Sequence, residues 1–230
     1  MTDAFAEIEK KRISKGHVKL ALIDPDSKND LNFEKIINRI YNSDIDGVLI
    51  GGSNVEEELY DKRIEYLTSS INLPIMLFPG SSSQITSKID TMLYLNLISG
   101  RNPKYLIEEH VNGSMDIYEN NIKAIPTAYI LLNGGNQTSV EIVSGTSPLD
   151  MRDYTNVLKH ALAGQYLGNQ ILYFDCGSGA ENIMDPSLLS HIKKYVKIPI
   201  MVGGGIKSEK DMNMLISNGA SYIVCGTMYE

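Results

Sequence analysis

IPIMVGGGIKSEKDMNMLISNGASYIVCGT (198–227) holds one full unit of the pattern that decides the fold. An apolar run, Pro199–Val202, ends in three glycines, and a helix is predicted over Glu209–Ser217, stopped by Asn218-Gly219. A second apolar run, Tyr222–Cys225, ends in Gly226-Thr227. Strand, loop, helix and strand in this order make a parallel βαβ unit. Further out, the same rhythm recurs at Val18–Ile23, Gly47–Ile50, Ile75–Phe78, Met92–Leu97, Ala128–Leu132 and Ile171–Phe174. Eight strands alternating with helices predict an α/β fold, a closed (β/α)8 TIM barrel forming a single domain over residues 1–230. Such a barrel carries its chemistry in the loops at the C-terminal ends of its strands, so the residues just after each apolar run are the ones to weigh.

Helical stretches fill the intervals at Leu31–Asn42, Val55–Thr68, Pro103–Val111, Arg152–Leu167 and Pro186–Tyr195. A further N-terminal helix, about Asp3 to Gly16, can cover the bottom of the barrel. Asn102-Pro103 and Asp185-Pro186 each place Pro at a first helical position behind a capping side chain. Two intervals break the pattern. Between Pro79-Gly80 and the fourth strand lie only Ser81–Asp90, rich in Ser and Thr and too short for a full crossover helix, so the third outer helix is expected to be reduced or missing. The sequence also stops at Met228-Tyr229-Glu230, just past the eighth strand; either the chain is truncated or something other than an eighth helix covers that face.

Composition removes several function classes. A formal charge of −7 with no basic cluster offers no footprint for nucleic acid. No apolar run approaches the length needed to cross a bilayer, and Met1–Lys11 lacks a signal-peptide core. Cys176 and Cys225 lack metal-ligand spacing and read as reduced core thiols of a cytoplasmic protein. His17, His110, His160 and His191 show no ligand spacing either.

The candidate chemistry clusters after four strands. Gly203-Gly204-Gly205 after the seventh and Cys225-Gly226-Thr227 after the eighth let main-chain N–H groups approach an anion closely, in the loops where barrels commonly bind phosphate. Asp175, in Tyr173-Phe174-Asp175-Cys176-Gly177-Ser178-Gly179, stands where a strand-end catalytic residue belongs; it can equally do no more than cap the following turn. Tyr173 points toward the same place. Asp24, in Asp24-Pro25-Asp26 after the first strand, and Ser53, in Gly51-Gly52-Ser53 after the second, suit a Mg2+ ion shared with substrate phosphates. The bland alternative for Asp24-Pro25-Asp26 is an Asx-capped turn.

Taken together, KLALIDPD (19–26), DGVLIGGS (46–53), PIMLFPG (74–80), LYLNLISGRNPKYLIEEH (93–110), ALAGQYLGNQILYFDCGSGA (161–180), IPIMVGGGIKS (198–208) and GASYIVCGT (219–227) resemble the geranylgeranylglyceryl phosphate synthase family of archaea, with its bacterial heptaprenyl relatives. The resemblance implies a modified TIM barrel whose third helix is replaced by an extended strand or loop. It implies Mg2+-dependent transfer of a geranylgeranyl group from geranylgeranyl diphosphate to the 3-hydroxyl of sn-glycerol 1-phosphate, the first ether bond of archaeal membrane lipids. On the same grounds Asp24 and Ser53 would hold the Mg2+. Tyr173, Phe174, Asp175, Cys176, Gly177, Ser178 and Gly179, with Gly203, Gly204, Gly226 and Thr227, would cradle glycerol 1-phosphate, with Asp175 the base beside Tyr173. The gap left by the third helix would let the prenyl tail out. Family members form dimers and hexamers, so a homo-oligomer is implied, and a C20 product implies transient membrane contact rather than an anchor.

One position departs from the family: Asp175 stands where the family motif has Glu, one methylene longer. That keeps charge and basicity while shortening the reach. Two rival functions follow from the residues: a non-catalytic phosphate-binding relative, and another phosphate-binding barrel enzyme such as a sugar-phosphate isomerase or aldolase.

Overall fold

The computed structural model describes residues 3–52 and 57–229. Eight parallel strands close on themselves in chain order: β1 Val18–Ile23, β2 Gly47–Ile50, β3 Ile75–Leu77, β4 Thr91–Leu97, β5 Lys123–Leu131, β6 Ile171–Asp175, β7 Ile200–Gly203 and β8 Tyr222–Cys225. The ring is sealed by the register Val18↔Tyr222 and Lys19↔Ile223 between β1 and β8. Each strand is buried on both faces, which is why it reads as a continuous apolar run rather than an alternating one. One parity, including Leu20, Leu49, Met76, Leu93, Ile171 and Met201, fills the barrel. The other, including Ala21, Val48, Leu77, Leu172, Val202 and Ile223, packs against the outer layer.

That layer comprises α1 Ala4–Lys15, α2 Phe33–Tyr41, α3 Glu57–Ser70, α4 Glu109–Asn112, α5 Ser114–Glu119, α6 Ser139–Ser144, α7 Tyr154–Tyr166, α8 Pro186–Lys193 and α9 Glu209–Ser217. Helix α1 starts on Asp3, whose side chain accepts from the Ala6 N–H, and stops on Gly16 at φ +84°. It closes the N-terminal end of the barrel by sending Ile8, fully buried, into the interior cluster with Leu20 and Tyr222.

The third crossover is reduced as the sequence predicts, to a single 3-10 turn at Ser82–Gln84. The fourth differs from prediction. Instead of a regular helix over Pro103–Val111, Lys104–Glu108 forms a π-turn that leads into α4, and Asn102 caps it by accepting the Lys104 N–H at 3.1 Å. Wider π geometry often marks a functional segment. Beyond β8, Tyr229 is buried in the outer core and its carbonyl accepts from Arg39 of α2 at 3.0 Å, so this side chain covers part of that face.

Candidate active site

A cavity of about 290 Å³ opens at the C-terminal end of the barrel and draws its wall from all eight strand-end regions and from the third and fourth crossovers. On β6 the two-residue period turns Tyr173 and Asp175 to the inside, while Leu172, Phe174 and Cys176 join the outer core. Asp175 is only 7% exposed. One carboxylate oxygen, Oδ1, accepts the Gly177 N–H at 2.8 Å, and Oδ2 accepts the hydroxyl of Tyr129 from β5. Burial raises the Asp175 pKa, with the Tyr129 and Gly177 hydrogen bonds opposing it. The Tyr129 hydroxyl is pushed well above its usual range, first by burial and then by the neighbouring Asp175 charge. Tyr129 is the register partner of Tyr173. Their rings meet edge to face at 5.2 Å, and Phe78 adds a third ring 5.5 Å from Tyr173, so an aromatic wall flanks the carboxylate.

Opposite stand the glycine loops. Gly204 adopts φ +81°, and a Cβ there would lie 2.7 Å from both Asp175 Oδ1 and the Cys176 nitrogen, so only glycine allows the β6 and β7 loops to meet. Ser178, Gly204, Gly226 and Thr227 face the cavity, as do Gly205 and Ile206. The other expected cradle residues lie elsewhere. Strand alternation takes the side chains of Phe174 and Cys176 into the outer core, which leaves them only main-chain groups for a substrate. Gly177 packs on Thr138 and spends its N–H on Asp175. The Gly179 carbonyl accepts from Asn136, and Gly203 packs against the Tyr173 ring. Both cysteines are free, with burial raising the Cys176 thiol far above its usual range and that of Cys225 to about 12.

Asp24 and Asp26 reach the same cavity from the loop after β1. Asp26 caps the 3-10 turn Ser27–Asn29 by accepting the Lys28 N–H, and the Asn29 amide donates to the Asp24 carbonyl at 2.9 Å. Lys28 Nζ lies 2.8 Å from Asp24 Oδ2. A Cβ on Gly52 would fall 2.3 Å from Asp24 Oδ1, so the bare backbone of the β2 loop makes room for this carboxylate. Two hard carboxylates in the cavity that the glycine loops also line fit Mg2+, which takes one or two protein oxygens and completes its shell with phosphate and water. Ser53, the other expected ligand, lies outside the described residues.

The reduced third crossover leaves an opening lined by Ile85, Met92, Tyr94, Tyr105, Glu109 and His110. Glu109 spans it, accepting the Ser82 N–H at 2.7 Å; burial raises its pKa, but Ser82 and Lys104 together outweigh that and lower it. Tyr94 donates to the His110 carbonyl at 3.0 Å. Burial lowers the His110 pKa, favouring the neutral ring on this wall. Sequence inspection foresaw the opening but missed Tyr129 and Lys28. Strand parity alone, extended from Tyr173 across to β5, would have found Tyr129.

The PcrB family model matches residues 7–230. This chain belongs to the PcrB family. Two relatives named geranylgeranylglyceryl phosphate synthase align over 91% of the chain: one from Flavobacterium johnsoniae, 38% identical with 86% of its length covered, and one from Zunongwangia profunda, 36% identical with 89% covered. The crystal structure of (S)-3-O-geranylgeranylglyceryl phosphate synthase from Thermoplasma acidophilum in complex with substrate sn-glycerol-1-phosphate superposes with a TM-score of 0.91 at 28% identity. It covers all of this chain and 92% of its own. The modified barrel of this PcrB chain is therefore the fold of that enzyme.

Proposed function

We propose that this chain joins a geranylgeranyl group from geranylgeranyl diphosphate to the 3-hydroxyl of sn-glycerol 1-phosphate, with Mg2+ at Asp24. The chain is a prenyltransferase of lipid biosynthesis, as its relatives are named. The observation that carries the finer reading is the single cavity that holds a buried carboxylate, two glycine loops and the Asp24–Asp26 pair together.

The glycine loops with Ser178 and Thr227 hold the glycerol phosphate by main-chain N–H groups and hydroxyls. This fixes the acceptor hydroxyl near Asp175 and spares the reaction the entropy of bringing two molecules together. Asp175 takes the hydroxyl proton as the ether bond forms. Its oxygens already accept from Gly177 and Tyr129, yet each carboxylate oxygen has two lone pairs, so one on each stays open for the substrate. A raised pKa suits a base that must hold the proton it receives. The rings of Tyr173, Phe78 and Tyr129 offer their π-faces to the positive charge that develops on the allylic carbon. Bound at Asp24, with Ser53 as the expected second ligand, Mg2+ would stabilise the charge of the departing diphosphate. The apolar side chains at the reduced third crossover give the prenyl tail its way out.

Among the described residues no helix is long and apolar enough to cross a membrane. Ile107, Val111, Met115 and Tyr118, all exposed along the π-turn, α4 and α5 of the fourth crossover, support transient contact with a lipid surface. A homo-oligomer in the cytoplasm completes the reading.

The test supplies labelled geranylgeranyl diphosphate with either sn-glycerol 1-phosphate or sn-glycerol 3-phosphate. Ether product with the 1-phosphate, abolished by EDTA and by Asp24→Ala, is the expected result. Binding of glycerol phosphate with no ether product would instead favour the non-catalytic reading, in which Asp175 only caps its own turn through Gly177.

A further inference from the structure

We infer that Lys28 is the cationic contact for the diphosphate of the prenyl donor, and that its ammonium rests on Asp24 until metal and donor arrive. The inference rests on the reading of Asp24 as the metal end of the site.

Charge in the cavity is the starting point. Asp24, Asp26, Glu109 and Asp175 all line it, and among the described lining residues Lys28 is the only Lys or Arg. Into this acidic space must come a phosphate monoester bearing about two negative charges and a diphosphate bearing more. A single divalent ion does not balance that total, and a cleft of one sign repels ligands of the same sign. Some side-chain cation must face the phosphates, and the cavity wall offers Lys28.

The local geometry suits a cation that moves. Asp26 holds the Lys28 main chain by accepting its N–H at 3.1 Å, and Asn29 ties the same turn to the end of β1 through the Asp24 carbonyl. The anchor point is therefore fixed while the side chain on its long, flexible four-carbon stem is 57% exposed. Its Nζ lies 2.8 Å from Asp24 Oδ2. As a purely structural ion pair, an exposed contact between residues four apart contributes little. As a resting place it keeps the Asp24 carboxylate neutralised before a metal ion binds. Once Asp24 takes the ion, the ammonium is released to meet the phosphate oxygens of the donor in the same cavity.

The pairing predicts opposite effects on two ligands when Lys28 is removed. Inorganic pyrophosphate in excess Mg2+ is titrated by calorimetry into the full chain as wild type, Lys28→Met, Lys28→Arg and Asp24→Asn, with sn-glycerol 1-phosphate as a second ligand. Lys28→Met weakens pyrophosphate about 10- to 100-fold, the loss expected for one charge-assisted contact. Lys28→Arg recovers most of that, and glycerol 1-phosphate binding stays unchanged. Mn2+ binding without pyrophosphate, followed by water-proton relaxation, is tighter in Lys28→Met because its competitor for Asp24 is gone. Pyrophosphate binding as tight in Lys28→Met as in wild type overturns the inference. So does an equal loss of glycerol 1-phosphate or of Mn2+ affinity, which would mean the Asp24 turn had collapsed. The Asp24→Asn protein separates the two ideas: if its pyrophosphate binding still depends on Mg2+, the metal assignment fails, whatever Lys28→Met shows.

Discussion

The two ends of this barrel follow opposite electrostatic rules. At the N-terminal end Glu9, Asp44 and Asp46 each meet a cation. Glu9 takes both arms of Arg12 at 2.7 and 2.8 Å and also accepts the Tyr222 hydroxyl. Asp46 accepts from Lys15 at 2.7 Å and from the Lys19 N–H at 3.1 Å, while Asp44 lies within 3.7 Å of Lys15 and 3.5 Å of Lys19. Among the described residues at the C-terminal end, four carboxylates share a cavity with one lysine, and Asp175 is buried against donors that carry no charge. Paired charge closes the bottom, whereas at the top Lys28 and Lys104 reach Asp24 and Glu109 but the most buried carboxylate, Asp175, has no cation against it. A site kept ready for ligands in this way is held at some expense to stability.

The sharpest test of that contrast is Asp175→Asn, which should move activity and stability in opposite directions. Loss of the base lowers kcat by about 10²–10⁴-fold. The sign of the stability change follows from the raised pKa. In the folded chain the Asp175 pKa lies above its ordinary 3.8, so its contribution is fullest below that value and is lost as pH rises through the folded one. At neutral pH the wild type therefore bears the burden of a buried charge that Asn lacks. Thermal melts should show Asp175→Asn unfolding at a higher temperature than wild type at pH 7, with the gap narrowing toward pH 4. A lower melting temperature at pH 7, or undiminished turnover, breaks the contrast.

Ile8→Ala asks the reverse question at the bottom. Ile8 is fully buried between α1 and the strand ends, so its loss leaves a cavity where the surrounding strands cannot collapse. Urea unfolding should show a destabilisation of about 2–5 kcal/mol. Turnover per folded molecule should stay at the wild-type level. A matching fall in kcat would mean that the two ends are coupled.

The same division explains what could be read from sequence. Strand positions were legible because burial on both faces writes each one as an unbroken apolar run; β5 was read short because Lys123 and Pro126 interrupt its start. Asp175 was legible because it ends such a run before glycines. The outward side chains of Phe174 and Cys176 were not legible in the motif: a motif is continuous along the chain, but a strand shows the cavity only every second side chain. Tyr129 was hidden inside an ordinary strand, since nothing local distinguishes a tyrosine that donates to a carboxylate 46 positions away. The short third crossover could be counted, whereas the π-turn at Lys104–Glu108 could not, because its sequence is ordinary helix. Lys28 escaped notice as one lysine among many until the cavity showed how few cations it holds.

Gly52→Ala probes the metal end more gently. A Cβ would meet the Asp24 carboxylate at 2.3 Å, and that carboxylate is the mobile end of a side chain, so it turns aside and the fold survives. The Mg2+ concentration for half-maximal activity should rise about 10-fold, the usual scale for disturbing a ligand from behind. The melting temperature without metal should hardly move. If Mg2+ dependence is unaltered, Asp24 is not where the ion binds.

Tyr129→Phe carries the smallest effect and separates holding the base from being it. The hydroxyl donates to Asp175 Oδ2 and so favours the ionised carboxylate; removing it leaves burial less opposed. The Asp175 pKa then rises further, by about one unit for the loss of one hydrogen bond to a charged group. In a pH profile of kcat/KM the acidic limb should move up by that amount, because a larger share of the base is protonated at any given pH. Well above both values the variant should approach wild type, since Gly177 still holds Oδ1 and the ring still packs against Tyr173. A uniform loss of rate across the whole pH range would assign Tyr129 to contact with the substrate instead. An acidic limb that stays in place while the rate falls would show that the group titrating there is not Asp175.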